Sequence, residues 1–329
     1  QVLSKDLYQA LAKGQRQPSS AANLNRSEIL FAGGEKLVTH QTMISLYASL
    51  PEMNPDSLPN DFAKILAQML NLKEGVVGQA LKGSEPYPLI KEKLSPAEIR
   101  DIEGLKIASL RLKEEESPFF PQTETAAAVT GFIDKDASGQ YGLEGFYDKV
   151  LGDPKVASLI LSLDYAVQSM AEKLLKESQA DLEFRSGQIL VLDPKNGEIL
   201  ALATWPSFDP NHYEKEKLKN FQNPVVQKIF EPGSVFKPLT MAAAIQEQKV
   251  TPETTYTDEG VVRIGQIPIY NYSNRKYGQQ TMTQVLEKSI NTGAVWALQQ
   301  LGPELFLKYL EKFGFFEKTN VDLQGEVFS

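Results

Sequence analysis

The sequence predicts an α/β protein of the α+β type, with helices around an antiparallel sheet, in two parts that meet near residue 152. Three observations predict it. At 329 residues the chain has the length of about two domains. Its composition, 42% hydrophobic and 23% charged, is that of a globular chain able to build real cores. The pattern also changes at about Gly152, from short, varied elements to longer apolar periodicities. Domains are therefore expected at 1–152 and 153–329.

In the first part, Phe62, Ile65, Leu66, Met69 and Leu70 recur at helical spacing behind Ser57-Leu-Pro-Asn-Asp61, which predicts a helix ending near Leu72. Ser95-Pro-Ala-Glu98 is a capping box with proline at the first helical position, so a short helix should run to about Ile102. Asp134-Lys-Asp136-Ala-Ser138-Gly139 opens like a calcium loop. Its twelfth position is Gly145, however, and Glu144 falls one residue early, so the segment reads as a solvated turn. With neither repeats nor low-complexity tracts, this part looks like a scaffold.

In the second part, Leu163, Val167, Met170, Ala171, Leu174 and Leu175 mark an amphipathic helix capped by Ser162 or Asp164. Two apolar runs flank Pro194-Lys-Asn-Gly197 and predict a hairpin over 187–203. Both faces of that hairpin are apolar, so cover is expected on both, most simply from helices. Further helices are expected at 237–247, 283–301 and 303–313.

Composition narrows the chemistry. The net charge of -8 provides no overall basic field, so nucleic acid is not an expected partner. Without cysteine there can be no disulfide, thiolate metal site or cysteine nucleophile, and His40 and His212 are too few for a poly-histidine metal centre. Acid–base work near neutral pH therefore falls to Lys, Glu, Asp or Tyr. No stretch of 18 apolar residues occurs, and the first residue is Gln, which suggests a processed or engineered soluble piece.

Phe230-Glu-Pro-Gly-Ser-Val-Phe-Lys-Pro238 is the most informative segment. Pro232-Gly233 forces a turn before a helical pattern, placing Ser234 at a helix N-terminus and Lys237 on the same face at i+3. A serine hydroxyl is a weak nucleophile, and a neutral lysine beside it can take its proton. Burial and a positive helix end would both favour the neutral amine. The same spacing recurs at Ser273-Asn-Arg-Lys276, but among tyrosines, asparagines and Gly278, where a solvated loop is expected. Ser289-Ile-Asn291 is the only Ser-x-Asn in the chain, and it lies among Val285, Leu286, Ala294, Val295 and Leu298. Alone it would cap a helix. With Ser234 and Lys237 it makes a constellation in which a second serine relays protons and an amide holds a substrate carbonyl.

Taken with these motifs, the chain resembles the class B penicillin-binding proteins, peptidoglycan D,D-transpeptidases of the serine acyl-transferase superfamily. Tyr141-Gly-Leu-Glu-Gly-Phe-Tyr147, Leu161-Ser-Leu-Asp164 with Gln168, Val191-Leu-Asp-Pro-Lys-Asn-Gly-Glu-Ile-Leu-Ala201, Pro206-Ser-Phe-Asp-Pro210, Glu231-Pro-Gly-Ser-Val-Phe-Lys-Pro238 and Phe313-Gly-Phe all look like family landmarks, in family order. The resemblance covers 120–329 well, while Asn25-Arg-Ser-Glu-Ile-Leu30 keeps only traces of the family's early signature. It implies an N-terminal pedestal or dimerisation-type domain and a penicillin-binding transpeptidase domain. It also implies a single-pass membrane anchor before residue 1, with this region extracytoplasmic.

The resemblance further implies a catalytic set. Ser234 is the nucleophile, Lys237 the base, Ser289 the proton shuttle and Asn291 the residue that orients substrate, with no metal or cofactor. Stem peptides of peptidoglycan and β-lactam antibiotics are the implied ligands, and a SEDS-family glycosyltransferase and division or elongation proteins the implied partners. The family's third motif, Lys-Thr-Gly or Lys-Ser-Gly on a strand facing the nucleophile, does not occur before Ser329. The expectation is that it lies further on, with strands that would complete the sheet and the site. The rival reading is a non-catalytic relative, either a β-lactam sensor or a cell-wall scaffold. A β-lactamase fits poorly, because about 150 residues precede the candidate domain.

Overall fold

The structure is a computed structural model that describes residues 26–54, 58–59 and 61–327. Residues 1–16, Ser57 and Asn60 lie outside that range. The chain is of mixed α and β structure and divides into two compact units, one of residues up to 225 with 322–324, the other of 226–321 with 325 onward.

In the first unit, β1 (Glu28–Leu30), β2 (Lys36–Ala48), β3 (Leu89–Lys91) and β4 (Leu110–Phe119) form a sheet centred on β2. β2 runs antiparallel to β4 from Thr39 opposite Phe119 to Ala48 opposite Leu110. At 13 and 10 residues these two strands are not the short elements expected. Polar pairs on both faces hid them. Thr42 bonds Glu116 at 2.8 Å on one face and Tyr47 bonds Glu115 at 3.1 Å on the other, so β4 reads as a charge run rather than as apolar alternation. α1 (Phe62–Met69), α2 (Glu74–Lys82) and α3 (Pro96–Leu105) join this part of the chain, and Leu66, Leu70, Val77 and Ile102 pack with Leu46 and Leu110 in one core. The capping box forms as expected, with the Glu98 N–H donating to Ser95 Oγ and the Ser95 N–H to Glu98 Oε2. α3 runs on to Leu105, past the expected end.

β5 (Phe132–Ile133) and β6 (Gly139–Gln140) make a small hairpin whose turn contains the calcium-like sequence. There Asp134 accepts the N–H groups of Asp136 and Ser138 at 3.0 and 2.9 Å and the Gln140 amide at 2.8 Å. Its carboxylate is spent on a turn, as the register implied. After α4 (Ala127–Thr130), α5 (Gly142–Phe146) and α6 (Asp148–Leu151), β7 (Ser158–Ile160) adds to β1 in parallel. Arg26 binds this region from the far end of the chain. Its guanidinium donates to Glu144 Oε2 at 3.1 and 2.7 Å, to Asp148 Oδ1 at 2.9 Å and to the Ala137 carbonyl at 3.1 Å. Glu144 is wholly buried, and a side chain at Gly139 would collide with its carbonyl.

The predicted hairpin is β8 (Gly187–Leu192) and β9 (Ile199–Trp205), packed under α7 (Tyr165–Leu182) through Ala171, Leu175, Ala201 and Ala203. Asp164, not Ser162, caps α7 by accepting the Val167 N–H at 2.9 Å, while Ser162 donates to the Ile199 carbonyl. Gln168 uses both ends of its amide on Leu202, at 2.8 and 3.0 Å, and so pairs the outer edge of β9 as a strand would. Cover on both faces, expected from the apolar pattern, is found for β9 only. On β8, Leu190 and Leu192 are 44% and 48% exposed.

The second unit contains α8 (Lys237–Gln246), the antiparallel pair β10 (Thr255–Asp258) and β13 (Gly278–Thr281), the hairpin β11 (Val261–Ile264) and β12 (Ile267–Tyr270), and α9 (Met282–Glu287), α10 (Asn291–Leu301) and α11 (Pro303–Lys312). Met241, Ala244, Val285, Ile290 and Ala297 form its core. The single helix expected over 283–301 is two helices, broken at Ser289 and Ile290.

Burial pushes the Glu144 carboxyl up to about 7 from an ordinary 4.5, although Arg26 pulls it back down. A carboxyl raised in the folded state contributes stability that is fully present below about pH 4.5 and is lost as pH rises through about 7. Urea unfolding of wild type and of Glu144→Gln across pH 4–8 should therefore show an extra loss, on the order of 2–4 kcal/mol, in wild type alone. Parallel profiles for the two proteins would contradict the assignment.

Candidate active site

The site is built within the second unit from the start of α8 and the junction of α9 with α10. Gly233, at φ +64°, takes a left-handed turn that a side chain would strain, and a 3-10 turn over Gly233–Phe236 then runs directly into α8. Ser234 sits in that turn with its side chain exposed, and its carbonyl accepts the Lys237 N–H. Its expected place at the start of a helix is where the structure puts it.

Lys237 is half-buried, and its amine is surrounded by acceptors. Nζ donates to the Ser289 carbonyl at 2.6 Å, to Ser289 Oγ at 2.9 Å and to Asn291 Oδ1 at 2.7 Å. Three of the four sequence-predicted site residues are therefore in direct contact. Among the described residues no hydrogen bond joins Lys237 Nζ to Ser234 Oγ. Asn291 is oriented from its other end, where Nδ2 donates to the Tyr270 carbonyl at 2.8 Å, so its oxygen must face the lysine. Burial pushes the Lys237 amine below its ordinary value of 10.5.

Ser289 owes its position to a helix stop. The Ile290 N–H bonds the Val285 carbonyl at 2.9 Å and the Ser289 N–H bonds the Leu286 carbonyl at 3.1 Å, the two bonds of a Schellman motif closing α9. Ile290 and Val285, both fully buried, supply its apolar contact. In this motif the residue before Ile290 must be left-handed, and Ser289 has φ +52°. Glycine is the usual occupant. A serine here accepts backbone strain of about 1–2 kcal/mol and in return points both a carbonyl and a hydroxyl at Lys237. The sequence hid this break because no glycine marks it.

The second Ser-x-x-Lys behaves as expected. Ser273 lies in an exposed 3-10 turn at φ +53°, and exposed Lys276 pairs with Glu259. The residues that sequence reasoning missed are Tyr270, whose carbonyl orients Asn291, and the polar cluster behind it formed by Asp258, Asn271 and Thr292. A backbone carbonyl leaves no signal in sequence, and neither Asp258 nor Thr292 belongs to a recognisable spacing.

If Ser289 is strained for the sake of its side chain, Ser289→Gly should be more stable than Ser289→Ala by about 1 kcal/mol in urea unfolding, since both lose the hydroxyl and only glycine relieves the left-handed backbone. Equal stabilities would show that the strain is absent.

Residues 187–329 match the penicillin-binding protein transpeptidase domain family. Among similar proteins, stage V sporulation protein D of Bacillus subtilis is 29% identical over 332 residues, covering 92% of this chain and 51% of its own length. The peptidoglycan D,D-transpeptidase FtsI of Escherichia coli K12 is 25% identical over 354 residues, covering 99% of this chain and 60% of that protein. A crystal structure of a peptidoglycan synthetase from Bifidobacterium adolescentis superposes with a TM-score of 0.64 over 92% of this chain and 64% of that one, at 20% identity, and so shares its fold. The chain spans about half the length of the first of these relatives. The transpeptidase domain is thus matched from residue 187 onward, and proteins named as peptidoglycan D,D-transpeptidases and penicillin-binding proteins align over most of the chain's length.

Proposed function

We propose that this chain is the part of a peptidoglycan D,D-transpeptidase that carries its nucleophile, base and proton relay. The observation that supports it best is the three-acceptor environment of Lys237 Nζ. An ammonium has three protons and satisfies all three acceptors, whereas a neutral amine has two protons and a lone pair. A carbonyl and an amide oxygen cannot donate. Ser289 Oγ is the one contact able to reverse, turning its O–H toward the lone pair. Loss of one proton from Lys237 therefore leaves no unsatisfied group, and the base and the relay are a single switch.

In this reading Ser234 Oγ attacks the penultimate D-Ala carbonyl of a stem peptide as the Ser289 O–H turns away from the lone pair of neutral Lys237 and the Ser234 proton takes its place. The backbone N–H of Ser234 provides one donor to the oxyanion. The C–N bond then breaks, and the proton on Lys237 travels through Ser289 to the departing D-Ala amine. An amine from a neighbouring strand attacks the acyl ester and loses its proton along the same path, restoring Ser234 and forming the cross-link. Asn291 holds the substrate amide. A β-lactam enters by the first step, with its ring nitrogen as the group that departs.

We further propose that residues 1–152 form a pedestal for division or elongation partners, a SEDS-family glycosyltransferase among them, and that this region works outside the cytoplasmic membrane. Among the described residues no helix is long and apolar enough to cross a membrane.

In the protein at its full natural length, a labelled penicillin should attach to Ser234, and Ser234→Ala should abolish labelling while keeping the fold, because it removes one exposed hydroxyl. Lys237→Arg keeps a cation that cannot be deprotonated and should slow acylation by at least about 100-fold. An adduct mapped to Ser273, or near-normal acylation by the arginine variant, would sink the assignment.

A further inference from the structure

Behind the site, within the same unit, lies a buried carboxylate that the reaction above does not use. Asp258, at the end of β10, is fully buried and has no lysine or arginine partner among the described residues. It is held instead by neutral donors. Oδ1 accepts Thr292 Oγ1 at 2.6 Å, the Gly260 N–H at 2.9 Å and Asn271 Nδ2 at 3.1 Å, while Oδ2 accepts Asn271 Nδ2 at 2.9 Å and the Tyr277 N–H at 2.8 Å. A buried charge without a counter-ion is costly, and it persists only where several donors are fixed around it.

Those donors lead to the catalytic side chains by two routes. In the first, the carboxylate fixes which way the Asn271 amide faces, because a flipped amide would set oxygen against oxygen. Asn271 Oδ1 then accepts the Thr292 N–H at 3.1 Å. Thr292 is in the first turn of α10, where backbone N–H groups lack helical partners, and the residue at the cap position is Ile290, which has no side-chain acceptor to offer. Asn271 thus caps α10 from a distant segment, and Asn291 is the first residue of that helix. In the second route, fixing Asn271 also fixes the adjoining carbonyl of Tyr270, which orients Asn291 through Nδ2. Thr292 adds a direct tie, since its hydroxyl proton goes to Asp258 over the shortest contact of the group while Tyr256 OH lies 3.2 Å from Thr292 Oγ1.

We propose that Asp258 is a positioning residue for the acylation step: through Asn271 and Thr292 it sets the first turn of α10, and so the placement of Asn291 Oδ1 and the Ser289–Asn291 segment around Lys237. It touches neither substrate nor Lys237. This rests on the transpeptidase reading, and the test separates the two.

In the full-length protein, Asp258→Asn keeps the shape but turns one acceptor into a donor facing donors. Thr292→Val removes only the hydroxyl, and Thr292→Ser restores it. The first two variants should lower the acylation rate at saturating penicillin by about 10- to 100-fold, the scale of a slight misplacement, with a much smaller change in non-covalent affinity. Thr292→Ser should stay near wild type. Hydrogen exchange of residues 289–292 should quicken in Asp258→Asn and Thr292→Val. Folded variants that acylate at the wild-type saturating rate, with only their melting temperature lowered, would overturn the proposal and leave Asp258 a purely structural residue. If Asp258→Asn does not fold, Thr292→Val and Thr292→Ser decide the matter alone. A wild-type protein unlabelled at Ser234 would instead refute the transpeptidase reading; the positioning claim would then stand or fall on whether exchange at 289–292 changes.

Discussion

One amine and its three acceptors organise the chemistry proposed for this protein. Lys237 must be charged to satisfy the Ser289 carbonyl, Ser289 Oγ and Asn291 Oδ1 together, and neutral to accept a proton. Partial burial disfavours the charge, and the acceptors favour it. The balance leaves a lysine able to move between the two states with little rearrangement, because the only group that has to turn is a hydroxyl. The break between α9 and α10 serves this geometry. A continuous helix across 283–301 would return the carbonyl of Ser289 to its own helix and deny it to the lysine.

The two units, each taken by itself, solve the burial of charge in different ways. In the first, Glu144 is wholly buried but faces a cation, Arg26, with Asp148 sharing the guanidinium. In the second, Asp258 is equally buried and, among the described residues, is held only by dipoles, whose hydrogen bonds outweigh the desolvation that would raise it and hold its carboxyl below the ordinary 3.8. An ion pair fastens two distant segments. A ring of dipoles fixes direction, since each N–H or O–H must point inward, and direction is what the neighbouring side chains of the candidate site require.

Legibility in the sequence followed the physics of each element. The hairpin at Pro194-Lys-Asn-Gly197, the capping box at Ser95 and the turn before Ser234 were readable because local residues dictate them. β2 and β4 were not, as their pairing is long-range and polar pairs interrupt the apolar alternation on both faces. The contact of Lys237 with Ser289 and Asn291 was anticipated from motif and resemblance, but its form was not. Ser289 occupies a left-handed helix stop where glycine is usual, and only the pairing of Ile290 with Val285 shows why the chain turns there. The support from Asp258, Asn271 and Thr292 was invisible for a simpler reason: these residues lie far apart in sequence and make no spacing pattern until the strands and helices bring them together.

The most direct test of this account is the ionisation of Lys237 itself, followed by NMR titration of the lysine side-chain nitrogen in wild type, with Lys237→Arg identifying the resonance. A half-buried amine poised to act as a base should titrate below 10.5, at the same pH as the rising limb of penicillin acylation. A Lys237 that titrates at or above 10.5 while acylation rises at lower pH would show that the lysine stays an ammonium during the reaction, and that the proton leaves Ser234 by another route.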